Sequence, residues 1–137
     1  MANEKAKSIR DKGGKKMIIQ GMIDLLEGCS SSCAIILQKD YENLNSFVQV
    51  PAECYRNDIE EGVKQVIAQE EQTPYLVFTE VDKASARQQN EIYELVKDRQ
   101  IRNTRLPENT VIILTIEEEM SVKRLSPDLY HLCTIAF

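Results

Sequence analysis

The sequence has no apolar run of roughly 20 residues, the length that a membrane-spanning helix needs, and no hydrophobic stretch near its start that could act as a signal peptide. It also has no internal repeat, no low-complexity tract and no linker rich in proline and glycine. A chain of 137 residues forms one ordinary domain and can bury a core without cross-links. We therefore expect a single soluble domain, located in the cytoplasm and without membrane contact.

Basic residues are scarce outside the first segment of the chain. Residues 1–16 carry six Lys or Arg against two acidic residues, whereas the other residues carry eleven basic and twenty acidic ones. We predict a basic, flexible arm over residues 1–14, followed by a single α/β domain over residues 15–137. A body this acidic does not suit a protein that coats phosphate backbones, so nucleic acid is not the expected partner. Contact between the arm and nucleic acid is kept as an alternative.

Histidine occurs once, and cysteine occurs four times, at Cys29, Cys33, Cys54 and Cys133. The paired CxxC spacing that is typical of structural zinc sites is missing. We expect reduced thiols that are partly buried, and no metal. The alternative is a zinc site that Cys29 and Cys33 form with Cys54, or with His131 and Cys133.

The first half of the chain predicts one helix and two short strands. Apolar residues recur at helical spacing over residues 15–28, and strand-forming residues dominate Cys33–Leu37 and Ser46–Val50. The connection between these strands, residues 38–45, is short and polar. Parallel neighbours need a crossover of about a dozen residues, so we predict an antiparallel β-hairpin here.

Helices and strands alternate in the second half. The predicted elements are a helix over Asn57–Gln69, a strand over Tyr75–Thr79, a helix over Ser85–Asp98 with Ser85 as N-cap, a strand over Val111–Thr115, a short helix that begins at Ser126-Pro127, and a strand over Cys133–Phe137. An apolar stripe of Ile59, Val63, Val66 and Ile67 marks the buried face of the first of these helices. The alternation predicts an α/β fold, a three-layer sandwich with a mainly parallel sheet.

Charged residues follow two of these elements. Glu80 and Asp82 come directly after an apolar strand, where carboxylates are ordinarily solvated and cap the next helix, or else belong to a ligand site. Arg99, Arg102 and Arg105 follow the helix that ends near Asp98, and we expect them to pair with nearby acids, with recognition of phosphate or of a partner as the alternative.

Small motifs stand in a fixed order from Thr73 onward. Glu80 directly follows an apolar strand, and the following helix has Gln89-Asn90 near its start and Asp98-Arg99 near its end. Leu106-Pro107 leads into the next strand, and Leu125-Ser126-Pro127 opens the last helix. Over residues 73–137, about half of the chain, this order resembles the AAA+ ATPases, most closely the MoxR-like branch.

The resemblance assigns roles to four positions. Glu80 matches the glutamate that orients the attacking water, but Thr79 stands where the family has the aspartate that holds hydrated Mg²⁺. Thr115 is compatible with the polar sensor of the next strand. Leu132 occupies the position of the arginine finger, so that function is expected to be absent.

The phosphate-binding loop of the family is also missing. Such a loop uses glycines so that backbone N–H groups can cradle phosphates, but residues 38–45 contain no glycine. Gly13-Gly14-Lys15-Lys16 follows no strand and lacks the hydroxyl residue. The resemblance further implies that the first two strands are separated by a helix and are not neighbours, which disagrees with the predicted hairpin.

These features predict a non-enzymatic, degenerate AAA+-like domain, a pseudo-ATPase without cofactor that acts through protein contacts. The resemblance implies an AAA+ ATPase or a second copy of the chain as partner, because the family works in rings. The first alternative is an ATP-binding and hydrolysing domain that uses Mg²⁺ and an unconventional phosphate site. In that case Glu80 and Thr115 are catalytic, and Thr79, Glu80 and Asp82 are remnant cofactor-binding positions.

Overall fold

The computed structural model describes residues 33–40, 47–51, 56–70 and 74–135. The basic arm, the helix predicted over residues 15–28, and the thiols of Cys29 and Cys54 lie outside these ranges. In chain order the strands are β1 (Cys33–Leu37), β2 (Val48–Pro51), β3 (Tyr75–Thr79), β4 (Gln100–Ile101), β5 (Thr104–Arg105), β6 (Val111–Ile116) and β7 (Thr134–Ile135). The helices are α1 (Arg56–Gln69), α2 (Ala86–Asp98) and α3 (Pro127–Leu132). Short 3-10 helices cover Gln38–Asp40, Val81–Lys83 and Glu119–Arg124.

Within the described residues, five strands form one sheet in the order β2-β3-β6-β1-β7, and every pairing in it is parallel. Fully buried side chains alternate between its two faces, because successive residues of a strand point in opposite directions. One face carries Cys33, Ile35, Leu76, Phe78, Ile112 and Leu114, and the other carries Ala34, Ile36, Val77, Ile113 and Thr115. These observations confirm the predicted α/β class with a mainly parallel sheet, buried on both faces as in a three-layer sandwich.

The antiparallel hairpin predicted for Cys33–Leu37 and Ser46–Val50 is wrong. In the structure β1 lies between β6 and β7, whereas β2 pairs with β3, so two strands separate them. The minimum length of a crossover connection applies to parallel strands that are direct neighbours, and β1 and β2 are not neighbours. Residues 38–47 can span roughly 33 Å when extended. This length is enough to run back along β1 and to pass three strand spacings of about 4.8 Å each. The structure does contain an antiparallel hairpin, formed by β4 and β5, where no strand was predicted.

Helix α1 packs on one face of the sheet, against β2 and β3. Ile59, Val63 and Val66 are buried as predicted, but Ile67 is 42% exposed, so the apolar stripe is narrower than the sequence indicated. The helix has 14 residues, and no helix in the described ranges is long and apolar enough to cross a bilayer.

Helices α2 and α3 begin as their sequences predict. Ser85 caps α2 by accepting a hydrogen bond from the Gln88 N–H, while the Gln88 side chain accepts one from the Ser85 N–H. This reciprocal capping box satisfies two donors that a helix start otherwise leaves open. Ser126 caps α3 by accepting a hydrogen bond from the Leu129 N–H, and Pro127 occupies its first position.

Gly62 is a buried residue of α1 that lies close to the side chains of β2 and β3. A Cβ atom at this position would lie 2.5 Å from Cγ2 of Val50, well inside van der Waals contact. Valine is stiff about χ1, so its methyl group cannot turn away easily. The absence of a side chain at Gly62 therefore sets how closely α1 approaches β2.

We expect Gly62→Ala to lower the free energy of unfolding by about 1–2 kcal/mol. Overpacking costs about 1–3 kcal/mol, and the better helix propensity of alanine offsets up to about 1 kcal/mol of it. Urea unfolding followed by circular dichroism measures the change, with Gln65→Ala at an exposed position of the same helix as control. A stabilised Gly62→Ala variant would contradict the close approach.

Candidate functional site at the carboxyl edge of the sheet

The carboxyl ends of β1 and β6 are adjacent, with Leu37 in register with Ile116. From β1 the chain continues to β2 at one edge of the sheet, whereas from β6 it continues to β7 at the other edge. Neighbouring parallel strands whose connections leave in opposite directions form a crevice, and open α/β sheets bind ligands there. The carboxyl edge at β1, β6 and β3 is therefore the candidate site.

Thr115 and Glu80 are brought together at this edge. The backbone N–H of Glu80 donates a hydrogen bond of 3.0 Å to Oγ1 of Thr115, and Thr115 is fully buried. Glu80 has a left-handed backbone, with φ of 56° and ψ of 44°, which is costly for a residue with a side chain. The bond to Thr115 holds this turn directly after β3. The hydroxyl thus joins the ends of β3 and β6.

The Glu80 carboxylate pairs with Lys83 one turn further along. Nζ of Lys83 lies 3.1 Å from Oε1 of Glu80, and both side chains are substantially exposed. The hydrogen bond with Glu80 is the main cause that raises the pKa of Lys83, and the negative charges of Glu80 and Glu117 add to it. An exposed ion pair of this kind contributes little to stability. It does place the Lys83 ammonium group against the carboxylate that, according to the resemblance, orients water.

Asp82 does not behave as the sequence indicated. Only 5% of its surface is exposed, and neither carboxylate oxygen has a hydrogen-bond partner. The expectation that both acids are solvated and cap the next helix is therefore wrong for Asp82, and Ser85 is the cap of α2. Oε1 of Gln38, directly after β1, is likewise buried without a partner. These oxygen atoms are acceptors that a ligand at this edge could use.

Gln89 connects the segments that follow β3 and β6 with the start of α3. Its side-chain amide nitrogen donates to the backbone carbonyls of Val81 at 3.3 Å, Ala84 at 3.2 Å and Arg124 at 2.9 Å. Its amide oxygen accepts a 2.6 Å hydrogen bond from the N–H of Ser126. Gln89 is only 3% exposed, so these bonds are shielded from water. The sequence marked Gln89 only as part of a motif and gave no sign of this role.

An acidic, solvent-exposed segment follows β6. Glu117, Glu118 and Glu119 are exposed, and Met120 beside them is 61% exposed. The segment is not only the turn that was predicted, because residues 119–124 continue as a 3-10 helix whose Ser121 is buried. We name Glu80, Glu117, Glu118 and Glu119 the acidic edge.

The three arginines after α2 have separate partners. Arg102 pairs with Glu60 at 3.0 Å, and Arg105 donates to the side chain of Gln100 at 3.3 Å. Arg99 donates to the backbone carbonyls of Glu108 and Thr110 at 3.2 and 2.8 Å, and burial lowers its pKa. Pairing with acids is thus found for Arg102, whereas Arg99 closes a backbone turn.

Of the remaining candidates, Thr79 lies at the carboxyl edge, where it is half-buried as the last residue of β3. Leu132, at the expected arginine-finger position, is half-buried in α3. The His131 ring packs edge-on against Tyr130. Among the residues that the structure describes, no group of three or more His, Cys, Asp or Glu could hold a metal ion.

Comparison of the chain with models of known protein families found no match, and comparison with curated protein sequences found no significant similarity. The resemblance to AAA+ ATPases therefore stays a prediction. The function has to be inferred from the arrangement at the carboxyl edge.

We expect Gln89→Leu to lower the free energy of unfolding by about 2–3 kcal/mol. Leucine has a similar size but removes every hydrogen bond of the amide, and it leaves a buried N–H and buried carbonyls without partners. Chemical denaturation monitored by circular dichroism measures the loss. Asn90→Leu, at the exposed neighbouring position, is the matched control and should change stability by no more than about 0.5 kcal/mol. Equal effects of the two substitutions would show that the amide is not a structural junction.

Proposed function

We propose that this chain is a non-enzymatic AAA+-like domain, a pseudo-ATPase, that acts by protein–protein interaction or by regulating an ATPase partner. The observation that carries the proposal is the hydrogen bond from the Glu80 N–H to Thr115. The polar sensor of a hydrolysis site has to face a γ-phosphate, but the hydroxyl of Thr115 is fully buried and braces two strands. The carboxylate of Glu80 is already paired with Lys83.

The strand order supports the AAA+-like part of the proposal. The resemblance implies that the first two strands are not neighbours, and β3 and β6 lie between β2 and β1. The two positions that the resemblance singles out, Glu80 and Thr115, also meet at the same edge, through the backbone N–H of Glu80. A fold of this kind does not by itself supply a function, so the chemistry of the edge has to decide.

The segment after β1 supports the absence of hydrolysis. A phosphate cradle needs backbone N–H groups that glycines leave accessible, and then the start of a helix. Residues 38–45 contain no glycine, and Gln38–Asp40 form a single 3-10 turn. Phosphoryl transfer depends on positioned positive charge, and the arginine-finger position holds Leu132. Neither binding energy nor transition-state stabilisation has an evident source in these residues.

We place the protein contact at the acidic edge and the neighbouring Met120. Methionine adapts to varied partner surfaces, and complementary charge sets the orientation of an encounter. The fitting partner surface is basic at its rim and apolar at its centre, on an AAA+ ATPase or on a second copy. Residues 1–16 give each copy a basic segment of this chemistry. Four cysteines without zinc spacing fit the reducing cytoplasm, which is the proposed location.

Titration of the full chain with ATP and Mg²⁺ tests the proposal directly. We expect no saturable heat of binding at micromolar nucleotide and no release of phosphate above the rate of buffer alone, because the phosphate cradle is missing. The variant Glu80→Gln should behave identically. Micromolar binding accompanied by turnover would overturn the pseudo-ATPase assignment.

A second candidate function, ATP binding at an unconventional phosphate site, is favoured by the oxygens of Asp82 and Gln38 that have no partner. A buried carboxylate is a chemically suitable ligand for hydrated Mg²⁺. The rest of the donor set fits poorly, because Thr79 brings no charge and Glu80 is paired with Lys83.

The two functions make opposite predictions for Glu80→Gln. If the chain hydrolyses ATP, this substitution removes the carboxylate that orients water and should lower turnover at least about 100-fold, the usual scale of a lost general base. The fold should be unchanged, because the Glu80 side chain is exposed and its N–H still reaches Thr115. The rates of phosphate release by the unaltered chain and by the variant measure the difference, once their circular dichroism spectra have been shown to be the same. Unchanged turnover would remove Glu80 from the reaction.

Nucleic-acid contact through residues 1–14 stays a sequence prediction, because the arm lies outside the described residues.

A further inference from the structure

Two cysteines meet at the amino edge of the sheet, opposite the candidate site. Sγ of Cys133 lies 2.9 Å from Sγ of Cys33, and both are thiols in the structure. Cys33 is the first residue of β1, and Cys133 directly precedes β7. The two positions are separated by 100 residues in the sequence. Sequence spacing alone could not pair them, because the pairing depends on β7 lying beside β1.

The backbone geometry suits a covalent link between these thiols. Ala34 is in register with Thr134, and Cys33 and Cys133 are the residues that directly precede this pair. Side chains of paired residues lie on the same face of a sheet, and neighbouring strands are about 4.8 Å apart. That spacing falls within the range of Cα separations, roughly 4.4–6.8 Å, that disulfides bridge. The two thiols can therefore be joined with little movement of either strand.

The two thiols differ in their access to solvent. Cys33 is fully buried, whereas Cys133 is partly exposed at the end of α3. A dissolved reagent therefore meets Cys133 first, and Cys33 lies within reach behind it. This is the arrangement of an attacking cysteine and a resolving cysteine.

We propose that Cys33 and Cys133 are a reversible dithiol–disulfide pair that ties the edge strand β7 to β1, with a small disulfide such as oxidised glutathione as the oxidant. The thiolate of Cys133 attacks one sulfur of the oxidant, forming a mixed disulfide and releasing one glutathione thiolate. The thiolate of Cys33 then attacks the Cys133 sulfur and releases the second glutathione. The protein loses two electrons and two protons, and one glutathione disulfide becomes two thiols.

The surroundings of Cys33 favour the closed disulfide over a lasting thiolate. Burial is the main cause that raises the pKa of the Cys33 thiol, and the nearby Cys133 adds to it. The positive charge of Arg99 acts in the opposite direction and lowers the pKa of Cys33. Arg99 is held in place by the carbonyls of Glu108 and Thr110. A fixed cation thus offsets only part of the rise in the pKa of Cys33, and the neutral disulfide fits the buried site better than a charged sulfur.

The bond would act on a strand that is otherwise weakly held. β7 has two residues, Thr134 and Ile135, and pairs with β1 alone in the described residues. A cross-link between positions 100 residues apart removes much freedom from the unfolded chain. Oxidation therefore stabilises the fold and holds β7 in the sheet. This inference does not depend on the proposed function, because the thiols and the carboxyl edge lie at opposite ends of the strands.

The test uses the full chain with Cys29→Ser and Cys54→Ser, which keeps only Cys33 and Cys133. After incubation with oxidised glutathione and acid quenching, we expect mass spectrometry to show a monomer lighter by two hydrogens. Its two cysteines should not react with an alkylating reagent after denaturation. The melting temperature should rise by about 10 °C and return to its original value with dithiothreitol. Adding Cys133→Ser should abolish the mass change and the temperature shift.

Three outcomes would overturn the proposal. They are two alkylatable thiols after oxidation, a stable glutathione adduct on Cys133 beside an intact Cys33, and a disulfide-linked dimer. If the chain with Cys29→Ser and Cys54→Ser does not fold, the same test uses the oxidised unaltered chain, which is digested without reductant and analysed by mass spectrometry. A peptide containing Cys33 joined to one containing Cys133 supports the pair, and its absence rejects it.

Discussion

The side-chain amide of Gln89 is the interaction on which the carboxyl edge of this fold depends. Its nitrogen and oxygen bond the turn after β3, the 3-10 helix after β6 and the first turn of α3. Each of these segments has backbone groups that strand pairing cannot satisfy, and one buried amide satisfies several of them at once. This junction fixes the turn that contains Asp82, between Val81 and Ala84, relative to the start of α3.

The carboxyl edge combines polar groups that already have internal hydrogen bonds with buried oxygen atoms that have no partner. Thr115 and Glu80 are committed to internal bonds, while the oxygens of Asp82 remain buried without partners. A buried acceptor without a partner costs stability, so it is more often found where a ligand or partner acts than in an ordinary core. The edge thus has the layout of a ligand-binding crevice, although its side chains mostly hold the domain together.

The sequence predicted most elements because their signals are local. Continuous apolar runs marked β1, β3 and β6, and Ser85 and Ser126 marked the starts of two helices through short-range hydrogen bonds. Long-range pairing could not be derived in the same manner. The hairpin was predicted because the connection after β1 is short, but a short connection excludes only a parallel pairing of the two strands that it joins. The structure buries every residue of β1, which is typical of an interior strand in a parallel sheet. The burial of Asp82, the contacts of Gln89 and the meeting of Cys33 with Cys133 all depend on the strand order, which residue types do not encode.

The central place of β1 has a consequence for how the chain acquires its structure. During synthesis Cys33–Leu37 emerges before either of its neighbours, and β6 is complete only at Ile116. Until then an entirely apolar strand has no native edge to join, so productive collapse has to wait for most of the polypeptide. The native pairing of β1 with β6 is thus available only after residues 33–116 have all been synthesised.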